Sequence, residues 1–284
     1  MSTPTGTVTG GEPLAPGLTG LEELGGGASY EAWLAFDERL HAPVVVKIVR
    51  PHLVGDEATL AGYRRELEIL SSLSHPGIAR LFAYDDEAER PYLVVEHVDG
   101  PTLSSLISRH GPLPEHQLLA VAVDLCSALH YVHGQGLCHL DLKPSNVVTG
   151  APAKLIDFSV AMTAEEADAL THPVGSDEYM APEQCLPHER GRVGQASDVW
   201  ALGATLFRAA AGYRAFDREP RWAQLTDAPH PLPHFVGAEL AEILDDCLQP
   251  DPADRPTPLQ VVERLDPLVA NLPKARLSGF SVRL

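Results

Sequence analysis

Apolar residues between positions 21 and 98 come in short runs, most clearly EAWLAF (31–36) and APVVVKIV (42–49), separated by turn-forming residues. Runs this short, rich in β-branched and aromatic side chains, predict strands of a twisted antiparallel sheet. Between them the period changes: Leu60, Tyr63, Leu67, Leu70 and Leu73 recur at steps of three and four, which lines one face of a helix. Two more strands are predicted over 78–84 and 90–98, ahead of an Asp99-Gly100 turn. Beyond that turn the pattern is mainly helical. Leu118, Val121, Ala122, Leu125, Ala128, Leu129 and Val132 form a stripe that stops at Gly134, and residues 197–212 are apolar nearly all round, as a buried central helix would be. Strands first and helices after predict an α+β arrangement in two lobes with a hinge over 96–100. Residues 1–18 are mostly Gly, Thr and Pro, a composition that cannot repay chain ordering, and are expected to be a flexible leader. The expected division is leader 1–18, small lobe 19–98, larger lobe 99–270 and tail 271–284, with no internal repeat.

Composition narrows the function classes. With 44% hydrophobic and 21% charged residues over 284 positions, the chain is expected to fold around a substantial core. The 21 Lys and Arg against 39 Asp and Glu give a net charge of −18, which repels phosphate backbones and anionic head groups. Neither nucleic acid nor a membrane surface is therefore the expected partner; the charge serves solubility first and attraction of basic protein substrates second. Cys126, Cys138, Cys185 and Cys247 form no C-x-x-C pair and read as reduced packing residues. The best candidate for a membrane span, 118–132, carries Asp124 at its middle, and the N-terminus lacks the basic and apolar regions of a secretory signal. A cytoplasmic location is expected. The thirteen histidines form no zinc-ligand pattern.

Two segments carry the candidate chemistry: HLDLKPSN (139–146) and LIDFS (155–159). Phosphoryl transfer asks for a carboxylate to orient the attacking hydroxyl, a cation on the moving group and oxygen ligands for Mg²⁺, and these segments contain all three. Here the sequence resembles the eukaryotic-like (bacterial Hanks-type) Ser/Thr protein kinases, in unbroken order over about residues 20–265. The resemblance implies the bilobal kinase fold, with an antiparallel sheet and one main helix in the small lobe. It implies ATP and Mg²⁺ as cofactors and protein Ser/Thr hydroxyls as acceptors. By resemblance Asp141 is the catalytic base, Lys143 stabilises the transferred phosphoryl, and Asn146 with Asp157 holds magnesium. A lysine two residues after the base is typical of Ser/Thr rather than Tyr kinases. Lys47, paired with Glu66 on the predicted helix, is expected to grip the α and β phosphates. Gly25 and Gly27 match the first two glycines of the phosphate loop, while Tyr30 stands at the third. Ala32 and Val45 are expected above the adenine and Val148 beneath it, with Val95 as gatekeeper and Glu96 and Val98 as hinge contacts.

The resemblance also pairs Glu183 of MAPE with Arg255 of DPADRP, makes Asp198 an anchor for the catalytic loop, and stacks Leu70, Leu81, His139 and Phe158 between the lobes. Ser176 stands where the family has a threonine that contacts the catalytic aspartate. Two departures bear on regulation. Leu140 replaces the arginine that in the family neutralises a phosphorylated activation-loop residue, so activity is expected not to need phosphorylation of Thr163 or Thr171. Ser159 replaces the glycine of DFG, which is expected to favour the active arrangement of Phe158. Two alternatives stand beside an active kinase: a pseudokinase acting as a nucleotide-responsive binding or scaffold module, and a small-molecule phosphotransferase of the same broad fold. No membrane helix or sensor follows the kinase-like region, so input from a separate regulatory partner is expected. The tail from Asn271 onward is one candidate contact, and an ordinary chain terminus is the other reading.

Overall fold

The computed structural model describes residues 11–27 and 29–272, together with two short strands at 276–277 and 280–281. The small lobe holds β1 (Pro13–Ala15), β2 (Leu18–Gly25), β3 (Tyr30–Asp37), β4 (Ala42–Val49), α1 (Glu57–Ser72), β5 (Leu81–Asp85) and β6 (Tyr92–Glu96). Its strands make one antiparallel sheet in the order β1-β2-β3-β4-β6-β5. Alternation decides the two faces. Trp33, Ala35, Val44, Val46 and Ile48 are buried together with Leu18 and Val94 on one, while Ala32, Val45 and Lys47 alternate onto the other, half-buried face.

Asp56 caps α1 by accepting hydrogen bonds from the Thr59 amide and hydroxyl at 2.8 and 2.7 Å. The buried line of α1 is Tyr63, Glu66, Ile69 and Leu70, whereas Leu60 and Leu67 of the expected stripe are only half-buried. The helix is turned so that Glu66 meets Lys47 of β4, and that contact shifts the buried face away from the purely apolar line.

The larger lobe follows through residues 97–102. It contains α2 (Leu103–His110), α3 (Glu115–Gly134), β7 (Leu137–Cys138), β8 (Val147–Val148), β9 (Lys154–Leu155), β10 (Met162–Thr163), α4 (Ala164–Asp168), α5 (Pro182–Cys185), α6 (Gln195–Ala211), α7 (Ala238–Cys247) and α8 (Pro258–Ala270). α6 is buried along almost its whole length and stops at Gly212, whose φ of 83° provides the left-handed cap. One apolar cluster runs from Leu70 of α1 and the adjoining Leu73 through Ile78, Leu155 and Phe158 to Leu125 and Leu129 of α3 and Leu202 and Leu206 of α6. The lobes therefore share a core. Among the described residues no helix is long and apolar enough to cross a membrane.

The expected leader needs correction at its inner end. Residues 1–10 lie outside the described residues, but Pro13 and Ala15 pair with Thr19 and Leu18 of β2, and Leu14 packs against the cluster around Trp33. Leu14 and Ala15, half-buried against the cluster that holds Trp33, give this stretch the burial that its Gly-Pro composition concealed. At the other end of the chain, β11 (Arg276–Leu277) and β12 (Phe280–Ser281) pair with each other within the expected tail.

Glu183 and Arg255 form a bidentate pair at 2.7 and 2.9 Å, with both side chains fully buried. Arg255 also donates to the carbonyls of Gln249, Ala196 and Pro250, and the Ser197 hydroxyl donates to Glu183. Removing one partner strands a buried charge. Arg255→Ala is thus expected to lower unfolding stability by about 3–5 kcal/mol in urea titrations, well beyond an exposed arginine such as Arg192→Ala.

Candidate active site

Asp198, in the first turn of α6, organises the segment between β7 and β8. Its fully buried carboxylate accepts the amides of His139 and Leu140 at 2.9 and 2.7 Å and faces His133 Nε2 at 2.9 Å. Burial pushes its pKa up, but His133 and the donated hydrogen bonds outweigh this and hold it below the usual range. These bonds keep Leu140 at a φ of 62°, a conformation a leucine does not adopt freely. The turn aims the next residues inward. His139 Nδ1 accepts the Asp141 amide at 3.2 Å, which puts the ring proton of the neutral tautomer on Nε2, and the ring meets Phe158 edge-on with centroids 4.7 Å apart.

Asp141 is fixed on one side only. Lys143 Nζ donates to its Oδ2 at 2.7 Å and to Ser176 Oγ at 2.7 Å, while Asn146 Nδ2 donates to the Asp141 carbonyl and Oδ2 at 3.0 and 3.2 Å. Its Oδ1 is buried and has no partner among the described residues. A buried carboxylate oxygen left without a donor is costly unless something else fills the position.

The second cluster is built by the small lobe. Lys47 Nζ contacts Glu66 of α1 and lies 2.9 Å from Asp157 Oδ1, so one ammonium joins β4, α1 and the segment after β9. Burial would lower the lysine's pKa, but the two carboxylates raise it far above its ordinary value. Burial likewise raises Asp157, and there Lys47 with the Ser159 amide prevails and holds it well below the carboxylate range. For Glu66, burial is the largest influence and raises its pKa against the pull of Lys47. The two clusters are joined through the backbone: the Ile156 amide donates to the Asn146 carbonyl at 2.9 Å, and β9 pairs with β8. Positions 47, 66, 141, 143, 146 and 157 are thereby brought to one place between the lobes.

The residues expected around a nucleotide are disposed as follows. Ala32 is opposite Lys47 and Val45 is opposite Val95 in the sheet, and Val148 lies buried on β8, bridged to Thr102. Val98 is half-buried. Both carboxylate oxygens of Glu96 are engaged by Lys154 at 2.7 Å, and its amide donates to the Arg80 carbonyl at 2.8 Å. Gly25 has a φ of 114°, whereas Gly27 has open space around it; the steric demand for glycine falls on Gly26, where a Cβ would sit 2.2 Å from the Tyr30 carbonyl. Tyr30 itself turns inward, buried against Val49, Tyr63 and Leu70, with Lys47 Nζ 5.4 Å from its ring centre.

Asn146 uses its amide nitrogen on Asp141 and Asp157 uses Oδ1 on Lys47, which leaves Asn146 Oδ1 and Asp157 Oδ2 without protein donors among the described residues. Two such oxygens suit Mg²⁺, which binds through one or two protein ligands and completes its shell with phosphate oxygens and water. Among the described residues no group of three or more His, Cys, Asp or Glu is placed to hold a metal ion. Sequence reasoning missed His133 and Gln184, whose Nε2 donates to the carbonyls of Leu140 and Val174 at 2.9 Å. A histidine at a helix end reads as a cap; only its distant partner, Asp198, gives it another role.

The protein kinase domain profile matches residues 18–265. The serine/threonine-protein kinase PknB of Mycobacterium tuberculosis is 36% identical over 208 residues, covering 69% of this chain and 32% of that protein. PrkC of Bacillus subtilis is 34% identical over 204 residues, covering 70% and 31%. The probable serine/threonine-protein kinase PkwA of Thermomonospora curvata is 31% identical over 268 residues, covering 89% and 35%. The chain spans about a third of the length of these curated relatives.

The depressed pKa of Asp157 has a definite sign. Its stabilising effect is present above the unfolded value of about 3.9 and is lost as pH falls through the folded value. Asp157→Asn is therefore expected to be less stable than the wild type near neutral pH. In urea titrations from about pH 7 to about pH 3 the gap should hold down to about pH 4 and only begin to narrow at the acid end, because it closes at the folded value, below that range.

Proposed function

The chain belongs to the protein kinase family, and on that footing we propose that it is a protein serine/threonine kinase transferring the γ-phosphoryl group of ATP to protein hydroxyls. The observation that carries this reading is Asp141: a carboxylate held by Lys143 and Asn146 on Oδ2, with Oδ1 buried and unfilled. An acceptor hydroxyl donating to Oδ1 would satisfy that atom, be aimed at the γ phosphorus, and pass its proton to the carboxylate as the new O–P bond forms and the bond to the β-γ bridging oxygen breaks, releasing ADP. Lys143, already shared between Asp141 and Ser176, would neutralise charge on the moving group. Asn146 Oδ1 and Asp157 Oδ2 would hold the magnesium, and Lys47, fixed by Glu66, would bind the α and β phosphates. Bound Mg·ATP supplies the transferable group and most of its charge compensation. Ala32, Val45 and Val148 would enclose the adenine, with Val95 at its back, the backbone of Glu96 and Val98 at its edge, and Gly25 to Gly27 over the phosphates.

The departures that would favour a pseudokinase are compatible with activity. Tyr30 adds packing between sheet and α1. The positive φ near Phe158 falls on Asp157, at 65°, so Ser159 is spared the conformation that would disfavour it. Activity without activation-loop phosphorylation is supported by what surrounds Leu140. It is 2% exposed in a cluster with Cys138, Met162, Ala167 and Val193, against which Val160, Ala164, Leu170 and Val174 pack. Burying an aliphatic side chain there holds the segment by about 1.5–3 kcal/mol, in place of a phosphate and an arginine. Thr163 already spends its hydroxyl capping α4. A cytoplasmic setting with a separate regulatory partner belongs to the same reading.

With radiolabelled ATP, Mg²⁺ and a general protein substrate, the wild type is expected to incorporate label and Asp141→Asn to fall by about 10²–10⁴-fold in kcat. Equal labelling by the two would overturn the proposed role of Asp141, and no labelling by the wild type would remove the kinase reading. The Thr163→Ala, Thr171→Ala double variant is expected to keep activity within about threefold. Leu140→Ala should cost about 2–5 kcal/mol of packing and make residues 160–174 sensitive to limited proteolysis.

A further inference from the structure

The three residues after Ser176 are ringed by arginines. Arg208 donates to the Tyr179 hydroxyl at 2.6 Å, Arg221 donates twice to Asp177 at 2.8 and 3.1 Å, and Arg218 Nε lies 2.6 Å from Glu178. Arg214 is different. It reaches Glu178 only at 3.6 Å, makes no hydrogen bond among the described residues, and its Nε is buried without an acceptor. A guanidinium offers five N–H donors, and one left empty in a half-buried setting is unfavourable until an acceptor arrives.

This guanidinium lines a cavity of about 780 Å³ together with Tyr213, Phe216, Arg218 and His230. The carboxylates on the rim, Asp217 and Glu219, are exposed, and Asp217 is 3.3 Å from His230. Through Glu178, 3.6 Å from Arg214, the cavity is tied to the segment that follows Ser176. Ser176 shares Lys143 with Asp141, and Asp177 to Tyr179 follow it directly, within about three residues' reach at roughly 3.3–3.6 Å each.

We propose that this surface reads acidic side chains: the preferred acceptors carry Asp or Glu within about four residues of the phosphorylated serine or threonine, and Arg214 is the specificity-determining residue. The inference rests on the kinase reading and names its substrate class. The net charge of −18 argues the other way at long range, but it is spread over the surface and screened beyond about 8 Å at physiological salt. At contact, a carboxylate that engages Arg214 in place of its long 3.6 Å contact with Glu178 gains charge-assisted hydrogen bonds that a neutral or basic side chain cannot make.

The test is a positional series of single-serine peptides bearing Glu, Ala or Arg at each flanking position, assayed for kcat/KM with wild type, Arg214→Glu and Arg218→Glu. The wild type is expected to favour Glu over Ala by about tenfold at one or two positions, and Arg214→Glu to abolish or invert that ratio. Because the readout is a ratio between peptides, a general loss of activity in a variant cancels. Equal rates for Glu and Ala peptides, or an unchanged ratio in Arg214→Glu, would overturn the inference while leaving the kinase reading intact. If no peptide is phosphorylated, fluorescence anisotropy of the same labelled peptides separates the two readings. A retained preference for Glu upholds the acidic surface without the transfer reaction, and no preference overturns both.

Discussion

One ammonium group between two carboxylates is the constraint on which the rest of this molecule depends. Lys47 comes from a central strand, Glu66 from the helix packed on the sheet, and Asp157 from the segment after β9 in the larger lobe. None of the three would be tolerable alone at that depth, because an isolated buried charge is far more costly than a paired one. Together they fix the rotation of α1, the height of the sheet and the position of Asp157, whose φ is 65°. The apolar cluster that crosses between the lobes lies alongside this contact, so packing and charge pairing favour the same arrangement.

A second anchor works by the same logic in the larger lobe. Asp198 is buried in α6, yet its carboxylate collects two backbone amides and a histidine, and in doing so it imposes the backbone turn that presents Asp141. The buried Glu183 and Arg255 pair then ties the start of α5 to the loop before α8. The site is therefore positioned by groups that never approach the reacting atoms, each a charge whose burial is compensated by several donors.

Much of this was legible in the sequence, for identifiable reasons. Strands β3 to β6 and helices α1, α3 and α6 follow from period and punctuation, since nothing in the tertiary structure opposes those local preferences. The polar set from Lys47 to Asp157 was legible only because its order resembles a known family; spacing alone does not bring position 47 to position 157. What was hidden depended on contacts between distant residues. Glu66 displaced Leu67 from the buried face of α1 because an ion pair outranked a hydrophobic stripe. Leu14 and Ala15 ordered part of an apparently featureless leader by packing against the cluster around Trp33. Gly26 rather than Gly27 proved sterically irreplaceable, because the obstacle is the carbonyl of Tyr30 across the loop.

The four cysteines, all buried, give the molecule an unlabelled gauge of its own opening. Burial raises every one of these thiols, those of Cys185 and Cys247 to about 12, so none reacts as a thiolate while it stays enclosed. They sit in different parts of the core. Cys138 shares its cluster with Leu140 and the segment that folds over it, whereas Cys126 and Cys247 lie in the main core with α3 and α6. Alkylation kinetics would accordingly separate a local lifting of the activation segment from collapse of the whole domain, with no engineered probe.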